Sequence, residues 1–389
     1  MKNYWLIYIL LFVISCTPQN DGKVIPPNPP SNSHIEAGKV KPKNIIFMVG
    51  DGMGLSQITA GMYMNKNKLN LEKFPVVGLI KCHSSNNLIT DSAAGATAFA
   101  SGIKTYNGAI GIDPDSVAYK TILEEAEENN LATGMVATST IVHATPASFI
   151  AHEKQRGYYE NIAADFMDTE IDFFVGGGKK YFDRRETDDR NLIEELREKG
   201  YIVSDYFTEE LNKSYMSSKL NFAYFTADSD PIPVSKGRGY LYAASKLGIK
   251  HLRKHSDKGF FLMIEGSQID WGGHANDSEY IITEMIDFDR TIGAVFDFAQ
   301  RDGETLVVVT ADHETGGYSI VQPSRMDSLA TKFTTTYHTA SMVPVFAFGP
   351  QAELFSGIYD NTAIYDKFRE AFGFKGNGRE IIKEVPSQN

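Results

Sequence analysis

The sequence FLMIEGSQIDWGGHAN, residues 261–276, begins with four apolar residues and continues with groups that prefer water. The apolar run predicts a buried strand. Glu265 follows this strand directly, and Asp270 and His274 are four residues apart, so that a helical turn would place both on one side. In a doubly wound sheet, ligands bind beyond the carboxyl ends of the strands. This stretch therefore predicts a strand end that delivers two carboxylates and an imidazole to one binding site.

The same arrangement recurs at two other predicted strand ends. The strand at 45–49 is followed by Asp51, and the strand at 306–310 is followed by Asp312 and His313. Carboxylates that are crowded together repel one another unless a positive group lies between them. Oxygen and imidazole ligands together suit zinc, whereas oxygen ligands alone suit magnesium. One such aspartate is often only a helix N-cap, so the metal prediction rests on the recurrence.

Strands and helices are predicted to alternate along the rest of the chain. Strands that are apolar throughout indicate a sheet that is covered on both faces. We therefore expect an α/β fold, doubly wound, with a mostly parallel central sheet and helices on both faces. The predicted strands are 44–49, 76–82, 132–137, 258–264, 305–310 and 342–348, and the predicted helices are 55–64, 92–100, 121–129 and 279–300.

The N-terminal residues predict export. Lys2 precedes an apolar run at 4–14 that is too short for a comfortable transmembrane helix, and a small residue precedes Cys16. This pattern resembles a lipoprotein-type signal peptide, residues 1–16, with a lipid anchor on Cys16 as the only membrane contact. The alternative is an ordinary cleaved signal peptide. We expect a periplasmic or outer-membrane-anchored lipoprotein.

The remaining chain is predicted to contain one catalytic domain. Residues 17–40 are rich in proline, which predicts a tether. The catalytic domain is predicted at residues 41–375, with a peripheral insertion at 183–236, and a C-terminal tail is predicted at residues 376–389. The net charge of −11 argues against nucleic acid as a specific partner, because a general nucleic-acid binder needs a basic surface.

The sequence TDSAAGATA, residues 90–98, supplies a candidate nucleophile. Ser92 precedes an alanine-rich stretch that predicts a helix. Free N–H groups and the positive end of the helix dipole favour an anion at that position. The alternative is that Ser92 or Asp91 serves only as an N-cap.

These motifs together resemble the alkaline phosphatase family. The resemblance implies an alkaline-phosphatase-like fold. It also implies an enzyme that hydrolyses small phosphate monoesters and releases inorganic phosphate, and it is compatible with a homodimer. The chain between His313 and His338 is short, so we expect a small or absent crown insertion. The matching blocks occur in the family's order: NIIFMVGDGMG (44–54), TDSAAGATAFASG (90–102), HATPASFIAHEKQR (143–156), FFVGGGKKYF (173–182), IEGSQIDWGGH (264–274), TADHETGG (310–317) and HTASMVPVFAFGP (338–350).

The resemblance also implies roles for individual residues. Ser92 is similar to the serine that attacks phosphorus and becomes phosphoserine. Arg156 resembles the arginine that binds two phosphate oxygens, and Asp91 resembles the residue that orients it. The remaining residues resemble the ligands of two zinc ions and one magnesium ion: Asp51, Asp312 and His313 for the first zinc, Asp270, His274 and His338 for the second, and Asp51, Thr145 and Glu265 for magnesium.

Two residues depart from the family's pattern. His143 stands where some members carry an aspartate of the magnesium shell, and imidazole is a poorer magnesium partner than carboxylate. We therefore expect weaker magnesium binding, or zinc or a water-mediated ion there. Trp271 stands where other members carry lysine or histidine near the phosphate. We expect phosphate to be held less tightly than in a Trp271→Lys variant.

Other functions stay open at this stage. A phosphodiesterase of the same superfamily is the nearest alternative. A sulfatase is disfavoured because Ser92 is followed by alanines and not by the x-Pro segment that such enzymes carry. A surface lipoprotein that binds a ligand without catalysis is disfavoured by the complete set of matched residues.

Overall fold

The computed structural model describes residues 40–213, 217 and 219–385. The predicted signal peptide, Cys16 and the tether up to residue 39 lie outside the described residues. The helices are α1 (Leu55–Met64), α2 (Ser92–Ser101), α3 (Ile122–Glu128), α4 (Ala144–Ala147), α5 (Tyr159–Asp165), α6 (Lys180–Asp183), α7 (Leu192–Glu198), α8 (Leu241–His255), α9 (Gln268–His274), α10 (Ser278–Asp302) and α11 (Ala363–Phe372), with 3-10 helices at Asn70–Lys73, Leu211–Lys213, Val234–Lys236 and Ala352–Phe355.

The strands alternate with these helices as the sequence predicts. They are β1 (Asn44–Gly50), β2 (Val76–Lys81), β3 (Val117–Tyr119), β4 (Ala132–Thr140), β5 (Phe173–Gly177), β6 (Ile202–Asp205), β7 (Phe222–Phe225), β8 (Phe260–Gly266), β9 (Thr305–Thr310), β10 (Glu314–Thr315), β11 (Ser319–Arg325), β12 (Ser328–Lys332), β13 (His338–Thr339), β14 (Val343–Phe348), β15 (Gly357–Asp360) and β16 (Ile381–Glu384).

The central sheet has ten strands in the order β15-β2-β14-β9-β1-β8-β4-β5-β7-β6. Strand β14 runs antiparallel to both of its neighbours, and the other neighbouring pairs are parallel. The predicted fold class is therefore confirmed. Strand β1 lies between β8 and β9, so that Val49 pairs with both Glu265 and Thr310. The three polar strand ends predicted from the sequence thus meet at one edge of the sheet.

Helices cover both faces of the central strands, which explains why these strands are apolar along their whole length. On one face, Phe47 of β1 packs against Phe99 of α2 and Phe368 of α11, with ring centroids 5.5 and 5.0 Å apart. On the other face, Phe288 of α10 lies so close to Gly266 that a Cβ atom there would be 2.7 Å from the ring. Every residue of β1, β8 and β9 is buried as a result.

Three further segments lie beyond the central strands. Within residues 183–236, strands β6 and β7 extend the main sheet beyond β5. The chain between His313 and His338 forms the small hairpin β11–β12. Strand β16, within the predicted C-terminal tail, pairs with β3. None of the described helices combines the length and the apolar character that crossing a membrane requires.

Candidate active site

The carboxyl edge of the central strands gathers the predicted polar residues. Asp51 follows β1, Glu265 lies near the end of β8, and Asp312 follows β9. The loop after β1 approaches α9 closely because Gly52 has a positive φ of 71° and no side chain; a Cβ atom there would lie 2.7 Å from Asp270 Cα. The Gly52 N–H also donates to Asp312 Oδ1 at 3.2 Å. The glycine therefore lets the loops after β1, β8 and β9 converge.

Asp51, Asp312 and His313 form a group that we call the enclosed cluster, because each of the three is fully buried. Their ligand atoms lie within 4.8 Å of one another. His313 Nε2 is 3.1 Å from Asp312 Oδ2 and 3.6 Å from Asp51 Oδ1. Burial raises the pKa of Asp51, and the nearby carboxylates of Asp312 and Asp270 raise it further. A bound cation would offset this repulsion, so the cluster fits a metal ion.

Asp270, His274 and His338 form a second group, the open cluster, whose ligand atoms also lie within 4.8 Å of one another. Asp270 and His274 occupy one turn of α9, as predicted, and His338 begins β13. His274 Nε2 lies 3.3 Å from Asp270 Oδ2, and His338 Nε2 lies 3.5 Å from Asp270 Oδ1. The His274 side chain is 36% exposed, which distinguishes this cluster from the enclosed one.

The two histidines of the open cluster have the tautomer that a metal ligand needs. His274 Nδ1 lies 2.7 Å from the Thr336 carbonyl and His338 Nδ1 lies 2.8 Å from the Thr90 carbonyl, so each Nδ1 carries the proton that it donates. The two Nε2 atoms lie 3.1 Å apart, so in the neutral form of both rings their unshared electron pairs face each other. Such an arrangement repels itself without a cation, which is the second sign that these residues fit a metal.

Asp51, His143 and Glu265 form a third cluster with ligand atoms within 4.8 Å of one another. Glu265 Oε2 accepts hydrogen bonds from Ser267 Oγ at 2.6 Å and Ser139 Oγ at 3.3 Å. Glu265 Oε1 is buried and without a hydrogen-bond partner among the described residues, as is Thr145 Oγ1. Burial raises the pKa of Glu265 to about 8. Unpartnered buried oxygens of this kind suit a hard, oxygen-binding cation.

Ser92 is the first residue of α2 and lies against the enclosed cluster. Its Oγ is 3.4 Å from Asp51 Oδ2 and 3.4 Å from His313 Nε2. Asp91, not Ser92, provides the N-cap, since Asp91 Oδ1 accepts a hydrogen bond from Ala94 N at 3.0 Å. The Ser92 hydroxyl is therefore not used by the helix and faces the polar site.

Arg156 and His143 border the same site. Arg156 Nη1 donates to Asp91 Oδ2 at 3.0 Å, and Arg156 Nη2 donates to His143 Nε2 at 3.3 Å. Burial and, second to it, the Arg156 charge lower the pKa of His143 to about 3, so the imidazole is a neutral acceptor. Trp271 meets His143 edge to face, with ring centroids 6.1 Å apart. The structure thus brings all the predicted site residues together, while their individual roles stay predictions.

The sequence reasoning missed two residues that support these clusters. Thr315 Oγ1 donates to Asp270 Oδ1 and lies 3.2 Å from His313 Nδ1, so that it touches the open and the enclosed cluster at once. Tyr337 stacks on His338 with ring centroids 4.4 Å apart and an angle of 9° between the planes. The available signal was proximity in sequence, since Thr315 is two residues from His313 and Tyr337 adjoins His338.

Comparison with known proteins gives a consistent result. The family model for alkaline phosphatase matches residues 42–331. Alkaline phosphatase 3 of Bacillus subtilis (strain 168) is 37% identical, over 83% of this chain and 87% of its own length. Alkaline phosphatase of Escherichia coli (strain K12) is 29% identical, over 86% of each chain.

A solved structure supports the same assignment. Alkaline phosphatase from the Antarctic bacterium TAB5 superimposes with a TM-score of 0.82 at 43% identity, covering 87% of this chain and 99% of that one. The family match, the fold and the gathered site residues agree. This chain is therefore an enzyme of the alkaline phosphatase family, whose members hydrolyse phosphate monoesters.

Proposed function

We propose that this enzyme hydrolyses phosphate monoesters at a site for two zinc ions and one magnesium ion, through a phosphoserine on Ser92. The observation that carries the proposal is the placement of Ser92 Oγ, 3.4 Å from two ligand atoms of the enclosed cluster. A hydroxyl at a helix N-terminus beside a cation site is placed to react as an alkoxide.

The donor atoms support an assignment of metals to clusters. The enclosed and open clusters mix carboxylate and imidazole, which suits zinc, and the third cluster with Thr145 is richer in oxygen, which suits magnesium. When bound, such ions lower the pKa of a hydroxyl group and stabilise developing negative charge on oxygen. A variant of the TAB5 enzyme in which a histidine is replaced by glutamate has magnesium bound in its M3 site (TM-score 0.80, 42% identity, 87% and 99% coverage).

The chain's own residues account for the transfer steps. Ser92 Oγ gives up its proton to water and attacks phosphorus, the bond between phosphorus and the leaving-group oxygen breaks, and that oxygen takes up a proton from water. Arg156, held by Asp91, has a planar guanidinium that can bind two phosphate oxygens. Water then attacks phosphorus, the bond to Ser92 Oγ breaks, and inorganic phosphate leaves. Trp271 adds no charge to this pocket, which supports weak retention of the product.

The test is the Ser92→Ala variant with Ser101→Ala as its matched control. Ser101 is also buried and ends the same helix, but its hydroxyl contacts the Tyr119 carbonyl at 3.4 Å, away from the clusters. We expect Ser92→Ala to lose p-nitrophenyl phosphate hydrolysis and the phosphorylated species seen by mass spectrometry after acid quench. Ser101→Ala keeps both. An active Ser92→Ala enzyme contradicts the mechanism, and faster cleavage of bis-p-nitrophenyl phosphate than of the monoester favours a diesterase.

We also propose that the protein is exported and anchored through Cys16. The support is the sequence pattern of residues 1–16, followed by the proline-rich segment 17–40. Mass spectrometry of the mature N-terminus tests this proposal. A lipid-modified Cys16 is the expected result, and an unmodified start beyond Cys16 overturns it.

A further inference from the structure

A basic groove lies between α8 and α10, and none of the residues that line it belongs to the active site. It has a volume of about 430 Å³ and is lined by five cationic side chains and by Phe298 on its apolar floor. All five cations are exposed: Lys246, Lys250, Arg253, Lys254 and Arg301. Four of them lie on α8, whose fifteen residues include no acid. This is unusual in a chain whose net charge is −11.

Two acids near the C-terminal end of α10 also contact other residues. Asp302 is shared, since Arg253 lies 3.5 Å from Asp302 Oδ1, while Asn44 and Thr305 donate to Asp302 Oδ2. Asp297 is directed to Lys73, at 3.5 Å. The Arg253 guanidinium also lies over the Phe298 ring, 5.6 Å from its centroid. The groove therefore combines an excess of positive charge with an apolar floor.

The groove lies toward the edge of the sheet opposite to Ser92. Helix α8 ends just before β8 begins, and α10 ends just before β9 begins, so the last turns of both helices lie at the amino edge. The polypeptide enters the sheet at this edge as well, since Lys43 N donates to the Glu304 carbonyl at 2.8 Å. A surface that docked on these last turns would thus contact the enzyme near the amino edge and not at the carboxyl edge, where the active site lies.

We propose that this groove, from Lys246 to Lys254 on α8 with Phe298 and Arg301 on α10, docks the enzyme on an anionic phospholipid surface. Lysine and arginine near such a surface attract its headgroups, and a shallow apolar floor accepts the acyl boundary. The overall negative charge does not prevent this contact, because charges more than about 10 Å away are screened at 0.1 M salt. The contact is independent of a lipid anchor and would add to one.

The test compares two charge-reversed variants of the full chain, each also carrying Cys16→Ser so that no lipid can be attached. The groove variant is Lys250→Glu/Lys254→Glu. The control is Lys213→Glu/Lys219→Glu, which makes the same charge change at two exposed lysines in the 183–236 segment. Binding is measured by flotation with vesicles of equimolar phosphatidylglycerol and phosphatidylcholine, and with phosphatidylcholine alone. Hydrolysis of p-nitrophenyl phosphate verifies that both variants are folded.

The parent chain, which carries Cys16→Ser as well, and the control are expected to bind the anionic vesicles more tightly than the neutral ones, and less tightly as salt is raised. Each cation near an anionic surface raises the partition coefficient about fivefold, so the groove variant should bind at least about 25-fold more weakly. Equal losses in both variants, or equal binding to both vesicle types, overturn the proposal. Groove-dependent binding to heparin without binding to vesicles also overturns it, in favour of a soluble polyanion.

Discussion

The enclosed cluster and the open cluster use the same kinds of ligand but are held in different ways. Asp51, Asp312 and His313 follow the central strands β1 and β9 and are fully buried. The open cluster is carried by the short helix α9 and the two-residue strand β13, and His274 in it is partly exposed. The difference teaches that the sheet fixes one candidate metal site directly, whereas the geometry of the other depends on contacts that hold the segments carrying His274 and His338.

Glu314 holds the segment that contains His338 in place through hydrogen bonds. It is buried, and its carboxylate accepts hydrogen bonds from Gln57 Nε2 at 2.8 Å, from Gly317 N at 3.2 Å and from Tyr318 N at 3.1 Å. Thr339 Oγ1 also donates to it, which fixes the residue next to His338. The open cluster is thus held through side-chain hydrogen bonds, and we expect its metal to exchange faster than that of the enclosed cluster.

Replacing Asp51 should have the largest effect, because Asp51 belongs to the enclosed cluster and to the third cluster. Asp51→Asn keeps the shape and removes the charge that opposes the cations. We expect kcat/KM for p-nitrophenyl phosphate to fall at least about a thousandfold, without recovery in excess zinc, since no other side chain can take its place. The exposed pair Asp366–Arg379 supplies the control, Asp366→Asn, which should leave activity unchanged. Full metal content and activity in Asp51→Asn would contradict the shared role.

Replacing His274 should have a smaller effect that added metal can reverse. In His274→Ala, Asp270 and His338 still supply two ligands, and solvent can reach the open position. We expect activity to fall about a hundredfold at limiting zinc and to recover as zinc is raised. His83→Ala is a suitable control, because His83 is similarly exposed and pairs with Asp360. If excess zinc restores Asp51→Asn as well as it restores His274→Ala, the distinction between the clusters is wrong.

The contrast between the clusters also marks what the sequence could predict. An apolar run that ends in Asp51 or Asp312 is a local pattern, and parallel strands place such ends at one edge, so the enclosed cluster followed from the sequence. The contacts that hold the residues of the open cluster could not be predicted in this way. Thr315 meets Asp270 across forty-five positions, and His338 meets the Thr90 carbonyl across 248. Such contacts depend on tertiary packing, which no local pattern encodes.

The 183–236 segment shows the same limit in the fold. Its polar composition predicts a peripheral insertion, and strands β6 and β7 of this segment lie at the edge of the main sheet, where β7 (Phe222–Phe225) is buried along its whole length and pairs with β5. Four apolar or aromatic residues are too short a signal to stand out between polar loops. Strand β7 forms because it pairs with the edge of β5, and this tertiary contact cannot be read from the local sequence.

Thr315 provides a test of coupling between the clusters, because its hydroxyl touches Asp270 and His313. Thr315→Val keeps the shape and removes the hydroxyl, which leaves Asp270 Oδ1 and His313 Nδ1 without this partner. We expect affinity for zinc at both sites to fall about tenfold, as is typical for groups that orient metal ligands. Thr315→Ser is the control and should behave like the parent enzyme. Loss at only one site, measured by titration with a zinc chelator, would show that Thr315 does not couple the two.

The smallest effect is expected at the third cluster, where His143 contributes an imidazole beside the carboxylates of Asp51 and Glu265. Burial and Arg156 lower the pKa of His143 to about 3, so it contributes no charge at neutral pH. His143→Asp would place a third carboxylate beside Asp51 and Glu265 and still accept the hydrogen bond from Arg156 Nη2. Because charged oxygen ligands strengthen binding of a hard cation, we expect the magnesium concentration for half-maximal activation to fall about tenfold or less.

His143→Asn separates charge from size in this test, since it has the shape of aspartate and no charge. If magnesium binds more tightly to the Asp variant alone, the neutral imidazole is what weakens the third cluster relative to the other two. If both variants bind magnesium equally well, the size of the imidazole, and not its lack of charge, is what weakens magnesium binding at the third cluster. Isothermal titration with magnesium, after zinc has been supplied, distinguishes these outcomes without relying on catalytic rate.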